Sequence, residues 1–302
     1  MTSDNEQTRC GFVAIVGRPN VGKSTLLNAM MGKKISITSF KPQTTRHQVL
    51  GIKTVGNRQT IFVDTPGIHI GAKKALNRQM NRVARQALHD VNAILFVVEA
   101  LKWTDEDDAV AHAISKNECP IFVVINKIDL VPDKERLLRF LQNVSQKLPN
   151  AELIPVSVHK KIQIDTVENL IEKHIPESPF YFGKDQEMNH SEHFHISEII
   201  REKLMRSFEK EIPYATTVQI EQVETQGDIQ HVHALIWVER EGQKGIIVGD
   251  KGQKLKEIGI AARHDLERFY DQKVCLKLWV KVKESWSDDV RALQDLGYLE
   301  SK

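Results

Sequence analysis

The run Gly17-Arg18-Pro19-Asn20-Val21-Gly22-Lys23-Ser24 constrains this chain more than any other feature. It fits G-x-x-x-x-G-K-[ST], a glycine-rich loop whose backbone N–H groups cradle phosphates. Phe12–Val16 before it is short and apolar and reads as a buried parallel strand. Thr25 to Met31 after it carries a helical pattern. Strand, glycine turn and helix start bring several amides and a positive dipole end to one point. Such a point suits a triphosphate, so the pattern implies a nucleotide-binding chain. The base, and the reaction if there is one, must be argued from other residues.

The chain has 302 residues, enough for about two domains. No apolar run reaches the length of a membrane span, and the best candidate, Ala93 to Val98, stops at Glu99. The polar start, Met1 to Glu6, lacks the order of a secretory signal, so a cytoplasmic location is expected. Cys10, Cys119 and Cys275 are widely spaced and read as reduced thiols. A formal net charge of +2 gives no bulk argument for nucleic acid, so local charge must carry one.

From residue 11 to about 175, apolar strands alternate with amphipathic helices, which predicts an α/β domain with a mostly parallel sheet. The strands are Phe12–Val16, Thr60–Val63, Ile94–Val98, Phe122–Ile125 and Leu153–Val156; the helices include 74–89, 107–115 and 134–148. Gly56-Asn57 sits between two β-like runs and predicts a hairpin, hence one antiparallel edge.

Asp64-Thr65-Pro66-Gly67 ends one strand at the ligand edge of such a sheet. Asp64 there can hold Mg²⁺, normally through water, and Pro66-Gly67 can bring an N–H to a γ-phosphate. Asn126-Lys127-Ile128-Asp129 ends another strand. The Asp129 carboxylate can accept from guanine N1–H and N2–H₂, a donor pair that adenine lacks. Asn126 is expected to tie this loop to the phosphate loop, and Lys127 to lie along the purine face.

In this order these segments resemble the G1, G3 and G4 motifs of translation-factor-class GTPases. With the second half of the chain, they resemble the Era family of bacterial ribosome-assembly GTPases, over nearly the whole length. The resemblance implies a Ras-like P-loop GTPase domain that binds GTP and GDP with Mg²⁺. It implies that Lys23 bridges the β- and γ-phosphates and that Ser24 and Asp64 serve the metal. Gln43-Thr44-Thr45-Arg46-His47 resembles the segment that senses the γ-phosphate, with Thr45 the metal ligand and Thr44 the alternative. Ser157 lies in the last base-binding segment, where Val158 replaces the usual alanine and a backbone N–H is expected to reach guanine O6. Ile68 stands where Ras-like proteins carry a water-orienting glutamine, so slow intrinsic hydrolysis is expected. Asn20 resembles the asparagine that helps K⁺ bind in related GTPases. Residues 33–47 and 67–86 are expected to act as nucleotide-sensing switches.

Phe180 to Asn189 shows no periodicity and reads as a linker. His190, His193 and His195 cluster beyond it without the partners a metal site needs. The second half then reads helix, strand, strand, helix, helix, strand. Val274, Leu276, Leu278, Val280 and Val282 alternate with Cys275, Lys277, Trp279, Lys281 and Lys283, a half-buried strand with a basic outer face. Gly249-Asp250-Lys251-Gly252 lies between the last two helices and, with Lys254, resembles the backbone clamp of a type II KH domain. That clamp holds about four single-stranded nucleotides. Over 240–283 there are eleven Lys/Arg against six Asp/Glu; over 184–302 the balance is eighteen against twenty-two. The positive surface is therefore a strip.

The expected organisation is a GTPase domain over 9–178, a linker over 179–194, an α+β type II KH domain over 195–284 and a tail over 285–302. The resemblance further implies binding to the 3′ end of 16S rRNA and the 30S subunit, nucleotide control of domain orientation, a monomer, and peripheral contact with the inner membrane. A nucleotide-gated RNA scaffold with incidental hydrolysis is the alternative. An ATP-using kinase shares the phosphate loop, but Asp129 argues for guanine.

Overall fold

The computed structural model describes residues 7–67 and 74–299. They form two compact units, one up to residue 189 and one from 190 onward, with 74–76 clustering with the second. Ile68 therefore lies outside the described residues, as does most of the loop beyond Gly67.

The first unit is a six-stranded sheet with helices. In chain order it runs β1 (Arg9–Val16), α1 (Lys23–Met31), β2 (Val49–Val55), β3 (Arg58–Asp64), α2 (Ala75–Gln86), β4 (Ala93–Glu99), α3 (Asp105–Ile114), β5 (Ile121–Asn126), α4 (Lys134–Lys147), β6 (Glu152–Pro155) and α5 (Ile164–Glu172). Strand order is β2-β3-β1-β4-β5-β6. Among the described residues only β2 is antiparallel, paired with β3 across the Gly56-Asn57 turn as the sequence predicts. β4 and β5 read as unbroken apolar runs because they are covered on both faces. Their residues Ile94, Phe96, Val98, Val123 and Ile125 pack with Val110, Ile114 and Val144 in one core cluster. All five parallel strands end toward one edge, so the loops after β1, β3 and β5 converge there. Part of the segment expected to be a switch, Ala75–Gln86, is a regular helix with a strongly one-sided apolar pattern; Leu76, Met80 and Ala84 are buried.

The aperiodic stretch after Pro176 is not free of the first unit. It runs along the outer edge of β2, where Ile52 N donates to Glu187 O at 2.8 Å. The buried Gln59 carboxamide accepts from Tyr181 N at 3.1 Å and Phe182 N at 3.0 Å, and donates to Phe182 O at 3.0 Å. Phe180 and Phe182 cover Leu50, Ile52 and Ile61. Backbone bonds and one glutamine leave no periodic signal, which is why the sequence reads only as a linker.

The second unit has the predicted order: α6 (Glu192–Ser207), β7 (Thr217–Gln226), β8 (Ile229–Val238), α7 (Glu241–Val248), α8 (Gln253–Tyr270), β9 (Lys273–Val282) and a short α9 (Val290–Asp295). The sheet order is β7-β8-β9, antiparallel then parallel. One face packs on the helices: Ile196, Ile199 and Ile200 meet Val232, Ala234, Ala262 and Leu266. His195 Nδ1 lies 3.2 Å from Tyr270 Oη, and His190 stacks on Phe194 with centroids 4.0 Å apart. Among the described residues no helix is long and apolar enough to cross a membrane.

Candidate nucleotide site and nucleic-acid interface

The site is built from the loops at the strand ends. Gly22 caps α1 with φ 107°, and no side chain caps the helix, so its first amides face the cleft without a side-chain acceptor. A Cβ on Gly22 would stand 2.3 Å from Asn126 Nδ2, so only glycine lets the two loops touch. The cleft is lined by Pro19, Asn20, Lys23, Ser24, Thr45 and Gly67 among others.

At its floor Lys23 Nζ donates to Gly17 O at 3.0 Å and Arg18 O at 2.9 Å. Burial pulls its ammonium down to about 8, while Asp64 acts the other way. Beside it, Asp64 Oδ2 accepts from Ser24 Oγ at 2.7 Å, Ser36 Oγ at 2.9 Å and Thr45 Oγ1 at 3.4 Å. Ser24 Oγ and Thr45 Oγ1 are 2.8 Å apart. Burial raises the Asp64 carboxyl, and those three hydroxyls hold it back. Its second oxygen, Oδ1, is buried with no hydrogen-bond partner. Thr44 Oγ1 donates to Lys41 O at 2.7 Å. Thr65 Oγ1 donates to Ile15 O at 2.9 Å, a contact within the fold.

The base-recognition loop is tied to the phosphate loop as expected: Asn126 Nδ2 donates to Val21 O at 2.8 Å. Asn126 Oδ1 accepts from Lys127 N at 2.7 Å and Val158 N at 3.1 Å. The Val158 amide, expected to face guanine O6, thus holds Asn126 here. Ser157 Oγ donates to Asp129 Oδ1. Asp129 itself is exposed. Ile128 packs against the core cluster below, and Lys127 Nζ lies 2.9 Å from Glu99 Oε2.

Two features escaped the sequence reading. Arg18 Nη2 donates to Glu99 Oε2 at 3.1 Å, and its Nε donates to Asp107 Oδ2 at 3.1 Å. One buried guanidinium thus joins the phosphate loop, the end of β4 and the start of α3. Burial would raise the Glu99 carboxyl, but Lys127 and Arg18 together hold it below its usual range. The second is Ser36, placed by Asn28, whose Oδ1 accepts from Ile35 N at 2.8 Å and Ser36 N at 2.9 Å. An asparagine inside a helix is a weak helix former, the one signal that could have flagged it.

In the second unit, Gly249 (φ 71°) and Gly252 (φ 79°) bracket Asp250 and Lys251, itself at φ 45°. A Cβ on Gly249 would meet Lys254 Cβ at 2.7 Å. Lys254 Nζ is 3.3 Å from Glu257 Oε2. Beside the turn, a groove of about 380 Å³ runs between α8 and β9, lined by Leu255, Ile260, Arg263, Leu276 and Leu278.

Phosphate loop, base loop and G-x-x-G turn in one chain define a P-loop GTPase carrying a KH domain. A family model described as "50S ribosome-binding GTPase" matches residues 12–127, and a KH-domain model matches 211–287. GTPase Era of Pseudomonas fluorescens is 53% identical over 296 residues, covering 98% of this chain and 99% of that one. The Pseudomonas aeruginosa GTPase Era is 52% identical over 291 residues, covering 96% and 95%. Two solved structures superpose with TM-score 0.93 at 38% identity, over 96% of this chain and 99% of theirs. One is an Aquifex aeolicus Era variant bound to GDP and AlF4⁻; the other is Era with MgGDPNP and nucleotides 1506–1542 of 16S rRNA. The chain belongs to the Era family of GTPases.

Proposed function

We propose that this chain binds GTP with Mg²⁺ in the cleft, hydrolyses it, and grips single-stranded 16S rRNA through its KH domain during 30S maturation. The observation that carries the nucleotide half is the meeting of Ser24, Thr45 and Asp64 beside Lys23, with Asp64 Oδ1 buried and unpartnered. Two hydroxyls and an orphaned carboxylate oxygen form an oxygen donor set suited to a hard cation. Ser24 and Thr45 would hold the metal directly and Asp64 through water. Mg²⁺ held there would neutralise negative charge on the phosphates. Lys23 would leave the two loop carbonyls for the β- and γ-phosphates, and the α1 amides would cradle the α- and β-phosphates. Gly67 N–H would meet the γ-phosphate while water attacks in line.

The RNA half rests on the G-x-x-G turn beside an apolar groove, and on the 16S rRNA held by the Era relative. Single-turnover GTP cleavage, with and without that RNA segment, tests the coupling. A cleavage rate and an RNA affinity both indifferent to the other ligand would reduce the chain to two independent binders.

Thr45 and Thr44 separate cleanly by substitution. Thr45→Val is expected to weaken Mg²⁺-dependent GTP binding by about tenfold or more, on the scale of one lost charged hydrogen bond. Thr44→Val is expected to change it little. Equilibrium titration with a fluorescent GTP analogue, with and without Mg²⁺, reads both.

Asn20 sits in the left-handed region at φ 65° and lines the cleft. We propose that it helps hold a K⁺ that offsets transition-state charge. GTP turnover is then expected to be about tenfold faster in K⁺ than in Na⁺ at equal ionic strength. Equal rates would count against the site. We further propose a monomer that contacts the inner membrane peripherally, which sedimentation and vesicle flotation would check.

A further inference from the structure

The sheet of the second unit has a second face, away from the groove helices; among the described residues the segment beyond β9 meets only its Trp237 end, where Thr217, opposite Trp237, lies 2.8 Å from Tyr298 Oη. Cross-strand register places Trp237, Leu235, His233 and His231 of β8 beside Lys281, Trp279, Lys277 and Cys275 of β9. Side-chain contacts agree. His233 meets the Trp279 ring edge-on at 5.4 Å, and Trp237 Nε1 donates to Gln219 Oε1 at 2.9 Å. Lys283 Nζ stands 6.0 Å above the Trp237 ring. Leu235, in the same row, is buried, yet Trp279 beside it is 43% exposed. Trp279 is thus a large aromatic surface in reach of solvent, held on a strand and in contact with a histidine.

The charge on this face is uneven. Lys273, Lys277, Lys281 and Lys283 line the β9 side, while Glu221 and Glu224 lie on β7. Lys281 has a 4.0 Å pairing with Glu221, and Lys283 a 3.4 Å pairing with Asp295. Among the described residues Lys273 and Lys277 make no ion pair. β9 is also an edge strand, and the groove beside the G-x-x-G turn reaches Cys275 on it. A strand leaving that groove therefore needs only to round one β-strand to meet lysines and then Trp279.

We infer that the open face of this sheet, centred on Trp279, is a second single-stranded RNA subsite that stacks bases just beyond those held in the G-x-x-G groove. Stacking platforms of this type pair aromatic faces with a basic track and tolerate any base. The proposal rests on the groove reading given above, and the test separates the two.

The full chain is titrated with two RNAs from the 3′ end of 16S rRNA, one of four nucleotides and one of twelve. Four nucleotides fill the groove alone. Trp279→Ala is expected to weaken the longer RNA by about tenfold and leave the shorter unchanged. Trp279→Phe should restore most of the loss, and Lys277→Glu should weaken the longer RNA selectively without removing an aromatic ring. Equal losses on both RNAs would mean that Trp279 acts only through the groove, and would overturn the subsite. No loss on either would also overturn it, and would leave the face to a protein partner. If wild type fails to bind the short RNA, the groove reading falls; the subsite then stands or falls on the longer RNA's response to Trp279→Ala.

Discussion

Asp129→Asn is expected to lower GTP affinity by about a hundredfold to a thousandfold while raising affinity for xanthosine triphosphate. The carboxylate would accept two hydrogen bonds from guanine, each worth about 1.5–3 kcal/mol because the acceptor is charged. An amide replaces one acceptor with a donor, which opposes guanine N2–H₂ and matches the carbonyl of xanthine. Ser157 Oγ donates to Asp129 Oδ1, an atom the asparagine keeps, so the loop itself should hold its shape. Asp129 is exposed before a base arrives, so the change should cost the apo protein little stability. Competition titrations with GTP, XTP and ATP read all of this. Unchanged GTP affinity would remove Asp129 from base recognition.

Arg18→Met is expected to cost the first unit heavily in stability. It strands Asp107, fully buried with Oδ1 already unpartnered, and removes a partner from Glu99. Breaking a buried pair on one side costs about 3–5 kcal/mol, which for a domain of this size is roughly a 10 °C drop in melting temperature. The pH dependence has a definite sign. Burial raises the folded Asp107 carboxyl above its usual range. A raised carboxyl binds its proton more tightly in the fold, so the penalty is absent below the unfolded value and grows as pH rises through the folded one. The variant's deficit should therefore shrink on acidification toward pH ~4. Adding Asp107→Asn to Arg18→Met should recover part of the loss at neutral pH, since a neutral amide can still accept from Thr104 N, as Asp107 Oδ2 does at 2.9 Å. Thermal melts across pH check each point.

Why some of this was legible in the sequence is a matter of range. The phosphate loop, Asp64-Thr65-Pro66-Gly67 and Asn126-Lys127-Ile128-Asp129 each act within a few residues, so their spacing carries their geometry. The link from Asn126 to Val21 was also legible, because its chemistry admits few partners. Arg18 to Asp107 was not, since nothing local says which carboxylate a loop arginine will meet. Ser36 reaches Asp64 only because Asn28 folds the intervening chain back. The β9 alternation is legible because period two is local; the β8 partner that puts His233 against Trp279 is set by long-range pairing and leaves no local signal.

The stretch lying along β2 has a practical consequence for anyone who isolates the catalytic half. Cutting after Ser178 would strip Glu187 from Ile52 and Phe182 from Gln59, baring a hydrogen-bonding rim with apolar side chains behind it. Such rims recruit strands from neighbouring molecules. A fragment ended at Asn189 should stay dispersed where the shorter one clumps.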